Sequence, residues 1–226
     1  MKRLMASACL LLFGLAACGA EPDPEPVIPD AVTPQPDTET PGEGEEPASG
    51  DEEAEIPGDP YAFFLEDGAI AHYKGEGNEY AQLTKRTVHL AGGHIAVYED
   101  NGGTTVLSVY RLTDDAADLV KEEPEFYEEY VASLEELHAL EPISRYFELP
   151  IEVGGQMNGM PVKELGVQAE TPYKVFDDAI LLENKTEDGA IIRSYFAEGY
   201  GEVKREFIMS DGENEYEVTS SLEKIQ

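Results

Sequence analysis

The sequence predicts a mainly β fold: an antiparallel meander, curved or folded into a half-barrel, with one or two short helices around 124–141. An α+β arrangement is the alternative. Three observations carry this expectation. Glycine-bearing turn signals recur between residues 66 and 103 and again between 187 and 212. The runs between them are rich in β-branched and aromatic residues, which favour a pleated, half-buried surface. In the last third of the chain, residues alternate with the two-residue period of a strand.

Taken in order, Glu66-Asp67-Gly68 precedes the first strand, AIAHYKG over 69–75. YAQLTKRTVHL over 80–90 leads through Ala91-Gly92-Gly93 into HIAVYE over 94–99. Asp100-Asn101-Gly102-Gly103 then turns the chain into TTVLSVYRL over 104–112. Paired turn residues between such runs signal a hairpin, because glycine adopts positive φ at little cost. The C-terminal half repeats the plan. Strands over 179–186, 190–198, 202–209 and 213–223 are separated by turns at Glu187-Asp188-Gly189, Gly199-Tyr200-Gly201 and Ser210-Asp211-Gly212. Val203, Arg205, Phe207 and Met209 share one face, and so do Tyr216, Val218, Ser220 and Leu222.

The middle follows another rule. After Pro124, residues Phe126, Tyr130, Leu134 and Leu137 recur at helical spacing, and Ser133 with Glu136 forms a capping-box pattern. Short strands are expected around 145–153 and 161–170, joined by loops. An apolar groove between the curved sheet and the 124–141 helix is a specific expectation of this reading, suited to a lipid or peptide.

The chain divides by composition into residues 1–17, 18–60 and 61–226. Lys2 and Arg3 precede a 14-residue apolar run over 4–17, the plan of a secretory signal peptide and too short to span a bilayer. It ends in Leu15-Ala16-Ala17-Cys18-Gly19. Residues 20–60 hold ten of the fifteen prolines and fourteen acids, with no Lys or Arg. That composition cannot bury enough apolar surface to offset its ordering entropy, so a disordered acidic tether is expected over 18–60. Its reach lies between about 40 Å as a coil and about 130 Å fully extended. Residues 61–226 carry 34 acids against 13 Lys and Arg, in a length that can bury about 70% of the unfolded surface. All twelve tyrosines lie in this part, so they are expected to supply much of a tryptophan-free core.

The segment around Cys18 resembles the lipobox of bacterial lipoproteins. The resemblance implies cleavage between Ala17 and Cys18 and diacylglycerol on the Cys18 sulfur. The membrane is then a partner through that lipid, and the protein is anchored at the outer face of the cell membrane. Cys9 would leave with the signal peptide. YKGEGNEYA (73–81), DNGGT (100–104), PIEVG (150–154) and TPYKVFDDAILLENKT with IIRSYFAEGYGEVKREF (171–207) resemble an uncharacterised group of lipoproteins of Gram-positive type. That group combines a lipobox, a low-complexity tether and a β-rich C-terminal domain. The resemblance implies no catalytic residues.

A formal net charge of -33 excludes a nucleic-acid binder, which needs a basic patch for phosphates. It directs the domain toward partners that are basic, neutral or bridged by divalent ions. His89 and His94 flank the Gly92-Gly93 turn and are the candidate metal ligands, with Glu99 or Asp100 as an imaginable third. His72 and His138 are the remaining imidazoles. The adjacent acids Asp114/Asp115, Glu122/Glu123, Glu128/Glu129, Glu135/Glu136 and Asp177/Asp178 read as solvated faces in so acidic a chain. Asp100-Asn101-Gly102 and Asp211-Gly212-Glu213 depart from the calcium-loop pattern and read as hairpin turns. Gly199-Tyr200-Gly201 reads as a bulge or tight turn. The Gly-x-Ser-x-Gly hydrolase elbow is missing from the sequence. No catalytic residue and no cofactor is therefore assigned. The expected function is a lipid-anchored, non-catalytic binding or structural module. A cell-envelope hydrolase using acids, or a divalent-cation-responsive surface protein, is the alternative.

Overall fold

The computed structural model describes residues 55–56, 58–211 and 214–226. The expected signal peptide, its cleavage point at Ala17 and Cys18, and the expected tether up to residue 54 lie outside the described residues. The described chain is mainly β. After β1 (Glu55–Ile56), a 3-10 turn spans Pro60–Phe63. The N-terminal meander then runs through β2 (Ile70–Glu76), β3 (Leu83–Leu90), β4 (His94–Asp100), β5 (Thr105–Leu112) and β6 (Ala116–Glu123). A single helix, α1 (Leu134–His138), precedes β7 (Ser144–Glu148), β8 (Ile151–Glu152) and β9 (Gln156–Met157). The C-terminal meander is β10 (Met160–Glu170), β11 (Val175–Lys185), β12 (Ile191–Ala197), β13 (Gly201–Asp211) and β14 (Asn214–Ile225).

Among the described residues, twelve strands form one antiparallel sheet in the order β7-β6-β5-β4-β3-β2-β14-β13-β12-β11-β10-β9. The last strand, β14, pairs with the first long strand, β2, joining the two meanders. The outer strands β7 and β9 then approach each other, and the Asn158 N–H donates to the Tyr146 carbonyl at 2.6 Å. The sheet is thus nearly closed into a barrel, which leaves little unpaired strand edge in water. β1 pairs with β8, with Ile56 opposite Ile151. This pairing moves the start of the folded unit upstream of the boundary expected at residue 60.

Two clusters of buried side chains fill the inner face of this barrel, one around Phe147 and Phe196 and one around Tyr73 and Leu222. Phe147, Phe196, Ile95, Ile180, Leu182 and Met157 are fully buried. The 3-10 turn adds Phe63, edge-on to Phe147 at 5.3 Å, and Phe64, 5.2 Å from the Tyr110 ring. Asp59 caps this turn by accepting from the Tyr61 N–H, and Pro60 occupies its first position, where a missing N–H is harmless. Gly201 lets the turn come close: a Cβ there would lie 2.8 Å from the Phe63 carbonyl oxygen.

The segment 124–141 holds one short helix, within the one or two expected there, although the helical spacing that begins at Phe126 is not followed throughout. Only Leu134–His138 is helical, with the expected capping box: Glu136 N–H to Ser133 Oγ at 3.3 Å and Ser133 N–H to Glu136 Oε2 at 2.7 Å. Upstream, the backbone donors are used by the sheet instead. The Phe126 N–H bonds to the Thr105 carbonyl, and the Tyr130 N–H donates to the Tyr98 hydroxyl at 2.8 Å. The segment lies flat on the outer face of the sheet, burying Ala96, Tyr98, Leu107, Val109, Val120 and Leu137. Between sheet and helix the expected groove is filled by Leu137 and its neighbours, and a concavity of about 380 Å³ remains between the sheet and the non-helical residues 126–129. β6 is a strand for which the sequence carried no signal. Its run AADLVKEE has little β propensity, and pairing with β5 and β7 on either side holds it in place.

Candidate functional site

The barrel wall brings four charged side chains together on its inner face. Lys85 comes from β3, Glu99 from β4, and Glu202 and Arg205 from β13. Lys85 Nζ lies 2.6 Å from Glu202 Oε2 and 3.1 Å from Glu99 Oε2. The Arg205 guanidinium forks onto both Glu99 oxygens at 3.0 and 3.1 Å and donates to Glu202 Oε2 at 2.6 Å. Ser194 donates to the Glu202 carboxylate, and the Tyr73 hydroxyl donates to the Glu202 backbone carbonyl at 2.5 Å. Two cations thus face two anions, and Lys85, Glu99 and Glu202 of this set line a void of about 80 Å³ together with Tyr110 and Tyr146.

Burial opposes charge at every member of this cluster, but mutual attraction wins. Against its burial, Lys85 and Arg205 hold the Glu99 carboxyl down to about 2. Glu202 is likewise held well below the usual carboxylate range, by Arg205 and Lys85 against its burial. Lys85, though buried, is raised by Glu202 and Glu99, and Arg205 is raised chiefly by Glu202. Desolvation pushes Tyr73 and Tyr110 up to about 12. No member of the cluster is therefore poised to exchange a proton near neutral pH, as general acid–base catalysis requires. The cluster joins β3, β4, β12 and β13 from inside.

A second arrangement opens to solvent. It is a cleft of about 670 Å³ between the β10–β11 hairpin, the β12–β13 turn and Phe63. Two bulges shape it. Between the Glu164–Leu181 and Val167–Ala179 pairs β10 has one extra residue, and between Val167–Ala179 and Ala169–Phe176 β11 has one extra. A bulge re-aims side chains that strict alternation would send to opposite faces. Gly166, at φ 70°, sits in the first bulge. Asp177 and Asp178 occupy the second, and both line the cleft.

The cleft wall combines aromatic rings and carboxylates. Phe176 stands edge-on to Tyr200 with centroids 5.0 Å apart, and Tyr173 is 6.0 Å from Tyr200. The Lys174 ammonium lies over both rings of the first pair, 4.1 Å from the Tyr200 centroid and 4.6 Å from that of Phe176, and donates to the Tyr200 hydroxyl at 3.0 Å. Asp177 accepts from the Gln168 amide at 2.9 Å. Among the described residues, Asp178 and Glu198 have no Lys or Arg within ion-pair distance. The wall thus presents three carboxylates and one ammonium, with Leu165 and Val175 supplying apolar surface over buried Phe63, Ile180 and Ala197.

The sequence-derived candidates fare differently. His89 pairs opposite Ile95 on the inner face, whereas His94 lies with Ala96 and Tyr98 on the outer face. The two imidazoles therefore do not converge on one metal position. His89 Nε2 is 3.1 Å from the Leu65 carbonyl, and His94 Nδ1 is 3.1 Å from that of Ala91. Among the described residues, no three His, Cys, Asp or Glu side chains are grouped to hold a metal ion. Asp100 and Asn101 accept from the Gly102, Gly103 and Thr104 N–H groups, so their oxygens close a hairpin turn. Tyr73 and Tyr98 are core residues, whereas Tyr80 is exposed. Gly199 and Gly201 both take positive φ around Tyr200, making the tight turn that hangs its ring in the cleft.

Sequence reasoning set Asp177 and Asp178 aside as a solvated face and singled out neither Lys174 nor Phe176. The available signal was the run YKVFDD (173–178), where two adjacent acids break an alternating strand pattern and so mark a bulge. No family model, no curated protein and no solved structure matches the chain.

Proposed function

We propose that this protein is a lipid-anchored lipoprotein of the outer face of the cell membrane, and that its β domain is a non-catalytic binding module with the β10–β11 cleft as its ligand site. The observation that carries the binding reading is the convergence of Tyr200, Phe176 and three carboxylates on one concavity of about 670 Å³, a volume typical of small-ligand sites. The lipobox over Leu15–Cys18 and the acidic, proline-rich run after it support the anchor and the spacer. The resemblance to tethered lipoproteins of Gram-positive type supports the same organisation.

The anchor is tested by replacing Cys18 with serine in a bacterial host. Wild-type protein should incorporate labelled fatty acid and sediment with membranes, because two acyl chains give stable attachment. The serine variant should do neither, and continued labelling of it would reject the anchor.

A second reading, hydrolysis of an envelope glycan, is favoured by the placement of Asp178 and Glu198 in one cleft beside aromatic rings. Release of reducing ends from wall glycan, abolished by Asp178→Asn or Glu198→Gln, would establish it in place of simple binding.

A further inference from the structure

We infer that the cleft recognises the ammonium group of a lysine side chain on an extended partner polypeptide. Resting on the cleft as ligand site, this deepens the function proposed above. The molecule already carries an ammonium in the relevant place. Lys174 Nζ lies on the faces of Tyr200 and Phe176 at 4.1 and 4.6 Å, the geometry of cation–π recognition. Yet Lys174 is exposed, and its hydrogen bond there goes to the Tyr200 hydroxyl. It leaves Asp178 and Glu198 without a cationic partner among the described residues, although both line the same cleft. An incoming ammonium that took this seat would meet the rings and could gain a charge-assisted hydrogen bond to a carboxylate as well. The outgoing Lys174 needs only to swing its exposed stem into water.

The remaining wall suits the rest of a lysine residue. Exposed Val175 and half-buried Leu165 offer apolar surface for a four-carbon stem, as amphipathic side chains require. Charge complementarity points the same way. The cleft has an excess of two negative charges, counted from Asp177, Asp178 and Glu198 against Lys174, on a chain of formal net charge -33. A carboxylate or phosphate ligand would be repelled by both. The cleft opens to solvent beside the β10–β11 hairpin, so a lysine side chain can enter it while the polypeptide that carries it stays outside.

The test uses the full lipidated chain in nanodiscs of zwitterionic lipid, at about 0.15 M salt to screen diffuse attraction. Calorimetry compares a neutral-capped pentapeptide carrying one central lysine, its norleucine analogue, and a linear triamine. The lysine peptide should bind, and Asp178→Asn/Glu198→Gln should weaken it roughly tenfold or more, as loss of charge-assisted contacts implies. The charge-matched control Glu122→Gln/Glu135→Gln, outside the cleft, should leave affinity within about twofold. Lys174→Met removes the competing charge but keeps a stem in place, while Lys174→Ala removes both, so affinity should rise in the order wild type, Met, Ala. Equal weakening in the control pair would overturn the inference by assigning binding to diffuse charge. Norleucine binding as well as lysine would overturn it while leaving the cleft as a ligand site. Tighter binding of the triamine than of the peptide would replace the polypeptide with a small oligoamine. Absence of lysine-peptide binding even to Lys174→Ala would reject the inference outright.

Discussion

Lys85 and Glu202 are 117 residues apart in sequence, yet their charged groups meet at 2.6 Å on the inner face of the barrel. The contact ties β3 to β13 through the lumen, across the two intervening strands β2 and β14. With Arg205 bridging Glu99 and Glu202, it makes the polar part of the interior a closed set of charges, each satisfied by another. Four consequences follow from this and neighbouring features.

Removal of one member should hurt more than removal of a matched pair. Arg205→Met strips both carboxylates of the guanidinium. Breaking a fully buried set costs about 3–5 kcal/mol, and because the Arg205 side chain is itself partly exposed, solvent screening should bring the loss below that range. Arg205→Met/Glu202→Gln leaves the Lys85–Glu99 pair intact and should recover a large part of that loss. Urea unfolding of the four members of this cycle measures the coupling. A single Arg205→Met variant as stable as wild type would dismiss the cluster as a fastener.

Acid should loosen the barrel in a defined window. Glu99 has a folded value of about 2 against an ordinary 4.5, and Glu202 is depressed further. A depressed carboxyl stabilises the fold fully above its unfolded value, and that contribution is lost as pH falls through the folded value. The cluster's contribution should therefore hold at pH 7 and fade from about pH 4.5 down to about 2. Protonating the unpaired surface acids relieves self-repulsion over the same range, so the comparison must be internal. Glu99→Gln should show a shallower fall of melting temperature with acid than wild type, followed by circular dichroism.

Gly75 is required by close approach. A Cβ there would lie 2.0 Å from the Gln82 backbone nitrogen, and backbone cannot give way as a side-chain tip can. Gly75→Ala should destabilise by at least the roughly 1–3 kcal/mol of an overpacked core. Gly102→Ala meets nothing within 4 Å and strains only its positive φ of 77°, at a cost of about 1–2 kcal/mol. Thermal unfolding of the two variants should rank them in that order.

The 124–141 cover should be separable from the barrel. Leu137 is fully buried against the outer face, and Leu137→Ala should cost about 2–5 kcal/mol. Ser133→Ala removes the helix cap for about 1 kcal/mol. Hydrogen exchange should show the Ser133→Ala loss confined to 133–141, while Leu137→Ala also speeds exchange of Phe126 and Tyr130. Uniform faster exchange across β2–β14 in the Ser133 variant would contradict a separable cover.

Much of the fold was legible because strands advertise themselves locally. Gly92-Gly93 and Asp100-Asn101-Gly102 mark hairpins by backbone chemistry alone, and both turns occur where that chemistry places them. The cap of α1 was legible for the same reason, since Ser133 and Glu136 are three residues apart. β6 was not, because its two alanines and three acids carry no local preference for a strand and its neighbours dictate it. The site was less legible than the fold. Asp177 and Asp178 read as surface acids until a bulge in β11 turns both toward one cleft. His89 and His94 read as neighbours until register sends them to opposite faces.

The sequence by itself determined that the domain is an antiparallel meander, where its turns fall, and that Val203, Arg205 and Phe207 share a face. Local dihedral preferences and a two-residue period suffice for that. Only the tertiary structure decided that Arg205 points into a nearly closed barrel, where Glu99 and Glu202 neutralise it, and that Tyr200 and Phe176 hold an ammonium in a cleft that Asp178 and Glu198 also line. Those outcomes depend on which strand becomes the neighbour of which. That is set by closing loops of a hundred residues and more, a choice that no local stretch of sequence encodes.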